Sequence, residues 1–197
     1  MRIKTFLRSL GGALALALAA SAAQAHTGHG AEGLASGLAH PFMGFDHLLA
    51  MVAVGLWSVA AFPRGKRAIG PAVFLVMLLA GAALAYLGVL LPLVEAGVAA
   101  SVLMLGVLML GAQRVPAFLG LGLVAMAALL HGQAHGSELL AGQSFAAYAA
   151  GFMAGSALLH GLGLGVGAWM HQARTGLWRG VAALIGASGL LMLVARV

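Results

Sequence analysis

The sequence predicts an all-α membrane protein, a polytopic bundle of six transmembrane helices behind a cleaved signal peptide. Three observations carry that expectation. Of 197 residues, 62% are hydrophobic and only 7% charged, against roughly a quarter charged in soluble domains. Six apolar segments follow one another, and most approach the ~20 residues needed to cross a bilayer. Lysine and arginine fall between those segments, where they orient a membrane protein rather than form a nucleic-acid surface. The expected surroundings are therefore the lipid bilayer, with no nucleic-acid partner. Cysteine is absent, which removes disulfides, thiolate metal sites and cysteine nucleophiles together.

The elements follow in order. Arg2, Lys4 and Arg8 form a basic start, Leu10 to Ala20 an apolar core, and Ala23-Gln24-Ala25 a small-x-small cleavage site, so residues 1–25 read as a secretory signal. Residues 26–39 form a Gly-rich, His-containing stretch expected on the periplasmic side. The remainder, 40–197, is the transport-sized membrane domain, with spans expected near 45–62, 69–91, 94–111, 116–130, 145–169 and 177–194. A translocated N-terminus puts Arg64, Lys66, Arg67, Arg114, Arg174 and Arg179 on the cytoplasmic side and leaves Arg196 outside, the positive-inside pattern. The acids Glu32, Asp46, Glu95 and Glu138 then all fall toward the outer face.

Two short stretches hold most of the unusual polar chemistry: His40-Pro41-Phe42-Met43-Gly44-Phe45-Asp46-His47 and His131-Gly132-Gln133-Ala134-His135-Gly136-Ser137-Glu138. Imidazole and carboxylate groups beside membrane-length segments are costly, so they mark function by default. On a continuous helix, with Pro41 in its first turn and His40 at its cap, His40, His47 and Met51 would share one stripe. Asp46 can either ligate a metal or hydrogen-bond a ligating imidazole. His131, His135 and Glu138 stand at i, i+4 and i+7, one face of a helix if Gly132 and Gly136 do not break it. A donor set of nitrogen, carboxylate and thioether suits Ni2+, Co2+ or Zn2+ better than Mg2+ or Ca2+, which take oxygen cages.

Three further histidines extend the set. His160 is placed deep in the fifth span, as a packing residue or a second station on an ion path. Cleavage after Ala25 would expose His26 as a chelating α-amine and imidazole pair, with His29 three residues on; an incidental polar leader is the alternative. The glycines of the fifth span, from Gly151 to Gly167, read as helix packing. The string Ala-Leu-Leu-His-Gly occurs at 128–132 and again at 157–161, thin evidence for an internal repeat.

With these residues in place, the chain resembles the HupE/UreJ family of bacterial nickel and cobalt permeases. The resemblance rests on the signal peptide ending before His26, on His40-Pro41, Gly44, Asp46-His47 and Met51, on His131, His135-Gly136 and Glu138, and on Gly151-Phe152 leading to His160. It implies secondary transport of Ni2+ or Co2+ through the bacterial inner membrane, no resident cofactor and no enzymatic activity. It also implies hydrogenase or urease maturation proteins as downstream recipients of the metal. A homo-oligomer is compatible with the sequence. The competing readings are a metal-binding accessory protein or metallochaperone without flux, an intramembrane hydrolase using Ser156 and His160, and a haem protein with paired histidines.

Overall fold

The computed structural model describes residues 29–139, 142–173 and 175–197. The expected signal peptide and His26 lie outside the described residues, as does the side chain of His29. Every regular element among the described residues is helical: α1 (His29–Met43), α2 (Phe45–Ala61), a short 3-10 turn (Arg64–Lys66), α3 (Ile69–Tyr86), α4 (Val94–Leu110), α5 (Ala117–Ser137), α6 (Phe145–Ala173) and α7 (Thr175–Arg196). Among the described residues, four stretches are long and apolar enough to cross a membrane: Arg64–Tyr86, Ala117–Ser137, Phe145–Met170 and Gly176–Arg196. The bent pair α1 and α2 makes a fifth if it forms one broken span.

Helices thus stand at all six segments that hydropathy picks out, but not all are of crossing length. The third segment becomes α4, with 17 residues, about 25 Å at 1.5 Å per residue against ~30 Å of hydrocarbon. The first becomes the second limb of a helix pair bent by 79°.

That bend corrects the expectation of one helix running from His40 through Met51. Pro41 is not in a first turn; it lies inside α1, near its C-terminal end. The break falls at Gly44, whose extended backbone (φ −87°, ψ 116°) precedes α2. The Gly-rich stretch also does more than its composition suggests, because from His29 onward it is helical and packs along α6. Its glycines are the reason: a Cβ at Gly37 would strike the carbonyl oxygen of Tyr148, and one at Gly151 would strike that of Leu34. Small residues here bring two helix backbones together, the usual means of association where no hydrophobic drive separates helix from lipid.

The same device recurs along α6. Gly151 and Gly155 face α1, whereas Gly163 and Gly167 face α2, as expected of the glycine spacing. Helix α5 runs unbroken through Gly132 and Gly136, which lie against the backbone of α3 at Leu78 and Ala82. Helices α4 and α7 form a further close pair through Gly106, Gly186 and Gly189. Between them lies a core of Met51, Leu56, Trp57, Phe74, Leu78, Leu105, Met109 and Phe152, all buried. Val107, Phe118, Leu184, Leu191 and Val194 point outward, as lipid-facing side chains do.

Candidate metal centre

The alternating helices bring the starts of α2 and α4 and the ends of α3, α5 and α7 to one end of the bundle. Here α1 meets α2 at the Gly44 bend and contributes His40, α2 contributes Asp46 and His47, and α5 contributes His131 and His135. The two sequence motifs therefore converge. The His40 and His135 ring centroids are 4.6 Å apart, His47 and His135 4.7 Å, and His47 and His131 4.8 Å. In His40, His47 and His135, one nitrogen from each ring lies within 4.8 Å of the other two. Contraction by small side-chain movements would bring such a triad to the ~2 Å bonds of an imidazole-bound metal.

The second group of contacts orients these rings. Asp46 is 5% exposed, and its Oδ1 accepts from the His47 backbone N–H at 2.7 Å and lies 2.6 Å from the ring Nδ1. That contact fixes the tautomer with Nδ1 protonated and leaves the Nε2 lone pair for another partner. Gly44 leaves room for it, since a Cβ there would come within 2.9 Å of both Asp46 Oδ1 and His47 Nδ1. Asp46 Oδ2 accepts from Arg196 Nη2 at 2.7 Å. Both carboxylate oxygens are thus engaged, and of the two roles the sequence leaves open for Asp46, the geometry matches the orienting one.

Glu138 caps the end of α5 and approaches His40 Nε2 at 2.9 Å. The hydrogen bond from His40 is the main reason its carboxyl is held below the usual carboxylate range. A cavity of about 470 Å³ opens beside it, with Tyr86, Gly136, Ser137 and Gln143 in its lining.

Deeper in the bundle the histidines are held differently. His131 Nδ1 bonds the Ala127 carbonyl at 2.9 Å, and His160 Nδ1 bonds the Ser156 carbonyl at 2.6 Å. In each case the bond to the carbonyl four residues back leaves Nε2 free, so the repeated Ala-Leu-Leu-His-Gly string builds one device twice. Phe74 is in contact with both, its ring centroid 5.7 Å from that of His131 and 4.9 Å from that of His160. The Ser156 hydroxyl has no partner; the imidazole takes the carbonyl instead, so a serine–histidine dyad is not formed.

Among the described residues, the buried imidazole nitrogens without a protein partner are His47 Nε2, both nitrogens of His135, His131 Nε2 and His160 Nε2. Each such atom costs about 1–3 kcal/mol when left unmet. A fold that keeps this many in one column has a use for their lone pairs, and divalent metal is the ligand that neutral imidazole fits best.

Met51 lies one turn along α2 from His47, wholly buried in the core. Phe152, one of the residues that carry the resemblance, stacks on His135 with centroids 4.8 Å apart. Three residues at the site escape the sequence motifs: Phe74; Tyr148, with its ring 6.0 Å from His40; and Arg196. The first two have the composition of ordinary core. Arg196, the lone base expected on the outer side, carried a signal.

Comparison with known proteins agrees with the motifs. Residues 14–192 match the model of a family described as HupE / UreJ protein. A relative named Protein HupE, from Rhizobium leguminosarum bv. viciae, is 42% identical over 147 residues, covering 74% of this chain and 76% of the relative. No solved structure matches.

Proposed function

The chain belongs to the HupE/UreJ family, and from that premise we propose that it is a permease carrying a divalent transition metal, Ni2+ or Co2+, into the cytoplasm. The observation that carries the reading is the convergence of His40, His47 and His135 from three helices with nitrogens within 4.8 Å. A hydrated ion arriving at this end exchanges water for imidazole. Glu138, held ionised beside His40, supplies the negative charge that draws it in. Passage then needs weak binding at several stations rather than tight binding at one. His131 and His160, both in contact with the Phe74 ring, supply those stations.

We take the six helices α2 to α7 as six crossings, with the histidine end periplasmic in the inner membrane. In support, Arg64, Lys66, Arg67, Arg114 and Arg179 belong to the opposite end of the alternating bundle. We read the chain as a transporter and not an enzyme, with the metal as cargo and metallocentre maturation proteins as its recipients. A metal-binding accessory protein would share the first cluster. It has no need of a further buried histidine, His160, whose Nε2 has no protein partner, and that favours flux.

The test is uptake of Ni2+ and Co2+ into proteoliposomes holding the purified protein, with and without a pH gradient. Saturable uptake that is lost in His47→Ala supports the reading. Metal binding without uptake points to the accessory protein.

A further inference from the structure

We propose that the connection between α3 and α4, residues 87–93, lies immersed in lipid at the histidine end of the bundle rather than in water, and that Gln133 is the residue that allows it. The placement rests on α3 and α7 crossing the membrane, and on nothing about the ion carried.

Hydropathy carries the second span to residue 91, yet α3 ends at Tyr86. The segment that follows, Leu87-Gly88-Val89-Leu90-Leu91-Pro92-Leu93, contains no polar side chain. Its side chains are nonetheless exposed, Leu87 by 74% and Leu93 by 82%. By contrast, the connection between α5 and α6 at the same end carries Glu138, Gln143 and Ser144. Contiguous exposed apolar surface marks a contact, and beside membrane-crossing helices the lipid acyl chains are the partner it fits.

An apolar loop enters lipid only where its backbone polar groups are met without water. The chain turns back at Gly88 (φ 85°) and turns again into α4 at Leu93 (φ 56°). Between those turns it lies against the end of α3, where the N–H groups of Leu87, Gly88 and Val89 donate to the carbonyls of Ala83, Ala85 and Leu84. Gln133, buried on α5, extends the set. Its Nε2 donates to the Gly81 carbonyl at 3.3 Å and to the Val89 carbonyl at 3.0 Å, while its Oε1 accepts from the Leu91 N–H at 3.1 Å. Pro92 has no N–H to satisfy, and the Leu93 carbonyl accepts from the Gly97 N–H.

Two further features set the depth. Gln133 stands between His131 and His135 on α5, so the loop it holds is level with the histidine column. Helix α4, which begins where the loop ends, has 17 residues and falls short of the hydrocarbon thickness unless the apolar residues before it contribute. Glu95, in the first turn of α4, is compatible with this depth. Helical side chains tilt toward the helix N-terminus, here toward the membrane surface, and its carboxylate stands 3.6 Å from Arg196 Nη1. The histidine column therefore starts within the thickness of the lipid, not on its surface.

The chain has no cysteine, so single cysteines can be spin-labelled without altering the background. L90C and V89C, at exposed loop positions, are labelled in the full chain in vesicles of phosphatidylcholine and phosphatidylglycerol. L191C on α7 is the lipid reference and S144C the water reference. Collision with oxygen, which concentrates in lipid, is compared with collision with chromium oxalate, which stays in water. The oxygen-to-chromium ratio at both loop positions should exceed the water reference severalfold and approach the lipid reference. In L90C/Q133L the ratio should fall toward the water reference, because the three hydrogen bonds that hold the loop are lost; Q133M replaces Q133L should that protein not remain monodisperse. A loop ratio equal to the water reference overturns the placement, and so does low collision with both reagents, the sign that protein covers the loop. An unchanged ratio in L90C/Q133L overturns the part assigned to Gln133. A water-like ratio at L191C overturns the membrane crossing of α7 on which the placement rests.

Discussion

The two halves of the imidazole column are built on different principles. At the end of the bundle, His40, His47 and His135 come from three helices, and charged groups surround them: Asp46 orients His47, Arg196 holds Asp46, and Glu138 holds His40. In the interior, His131 and His160 receive no carboxylate contact. Each is anchored by the carbonyl of its own helix, and both lie against the Phe74 ring. The first arrangement holds two rings by hydrogen bonds to carboxylates, stacks the third on Phe152, and converges all three on one point. The second presents one lone pair at a time. One region is suited to choosing an ion and the other to letting it go.

The difference is broken most completely at the first region. Replacing His135 by Ala should abolish metal binding and uptake together, because it removes the ring that touches both His40 and His47. Calorimetry and proteoliposome flux would both read the loss. Asp46→Asn should be the next largest, since it weakens the contact that fixes the His47 tautomer. Loss of such an orienting partner typically costs 10–100-fold in metal affinity, measurable in the same titration.

The interior is tested by His160→Ala. Flux should fall by roughly tenfold, the scale of one lost binding station of about 1.4 kcal/mol, while Ni2+ affinity at the outer cluster stays within about twofold. Parallel losses of affinity and flux would erase the distinction between the two regions.

The smallest effect concerns Glu138. Its folded pKa lies below the ordinary 4.5, so the stabilisation from its ionised form is fully present above that value. It is lost as the pH falls through the lower folded value. Thermal stability of the wild type should therefore drop more between pH 5 and pH 3 than that of Glu138→Gln, a small difference because the side chain is about half exposed.

The spacing of the residues made much of the site legible and left its construction hidden. The i, i+4, i+7 pattern of His131, His135 and Glu138 placed the two histidines correctly on one helix, with Glu138 at its C-cap, because helical periodicity is a local property that survives burial. The convergence of that helix with Asp46 and His47 followed from the alternation of segments and basic loops. Gly44 was not legible as the bend point, since a glycine with ordinary φ leaves no local mark. Its role is to clear space for the Asp46–His47 contact. Helix α1 was missed because glycine reads as linker in a soluble context, whereas Gly37 and Gly151 here bring two backbones into contact. Phe74 and Arg196 owe their places to partners distant in the sequence, and no window along the chain contains that information. The repeated Ala-Leu-Leu-His-Gly gained meaning only when both copies proved to place their imidazoles against one phenylalanine.

The most direct measurement is Ni2+ flux and Ni2+ affinity determined on the same preparations of wild type, His47→Ala and His160→Ala. The account predicts that His47→Ala loses both, and that His160→Ala keeps its affinity and loses most of its flux. Wild-type flux in His47→Ala, or wild-type flux in His160→Ala, would contradict it.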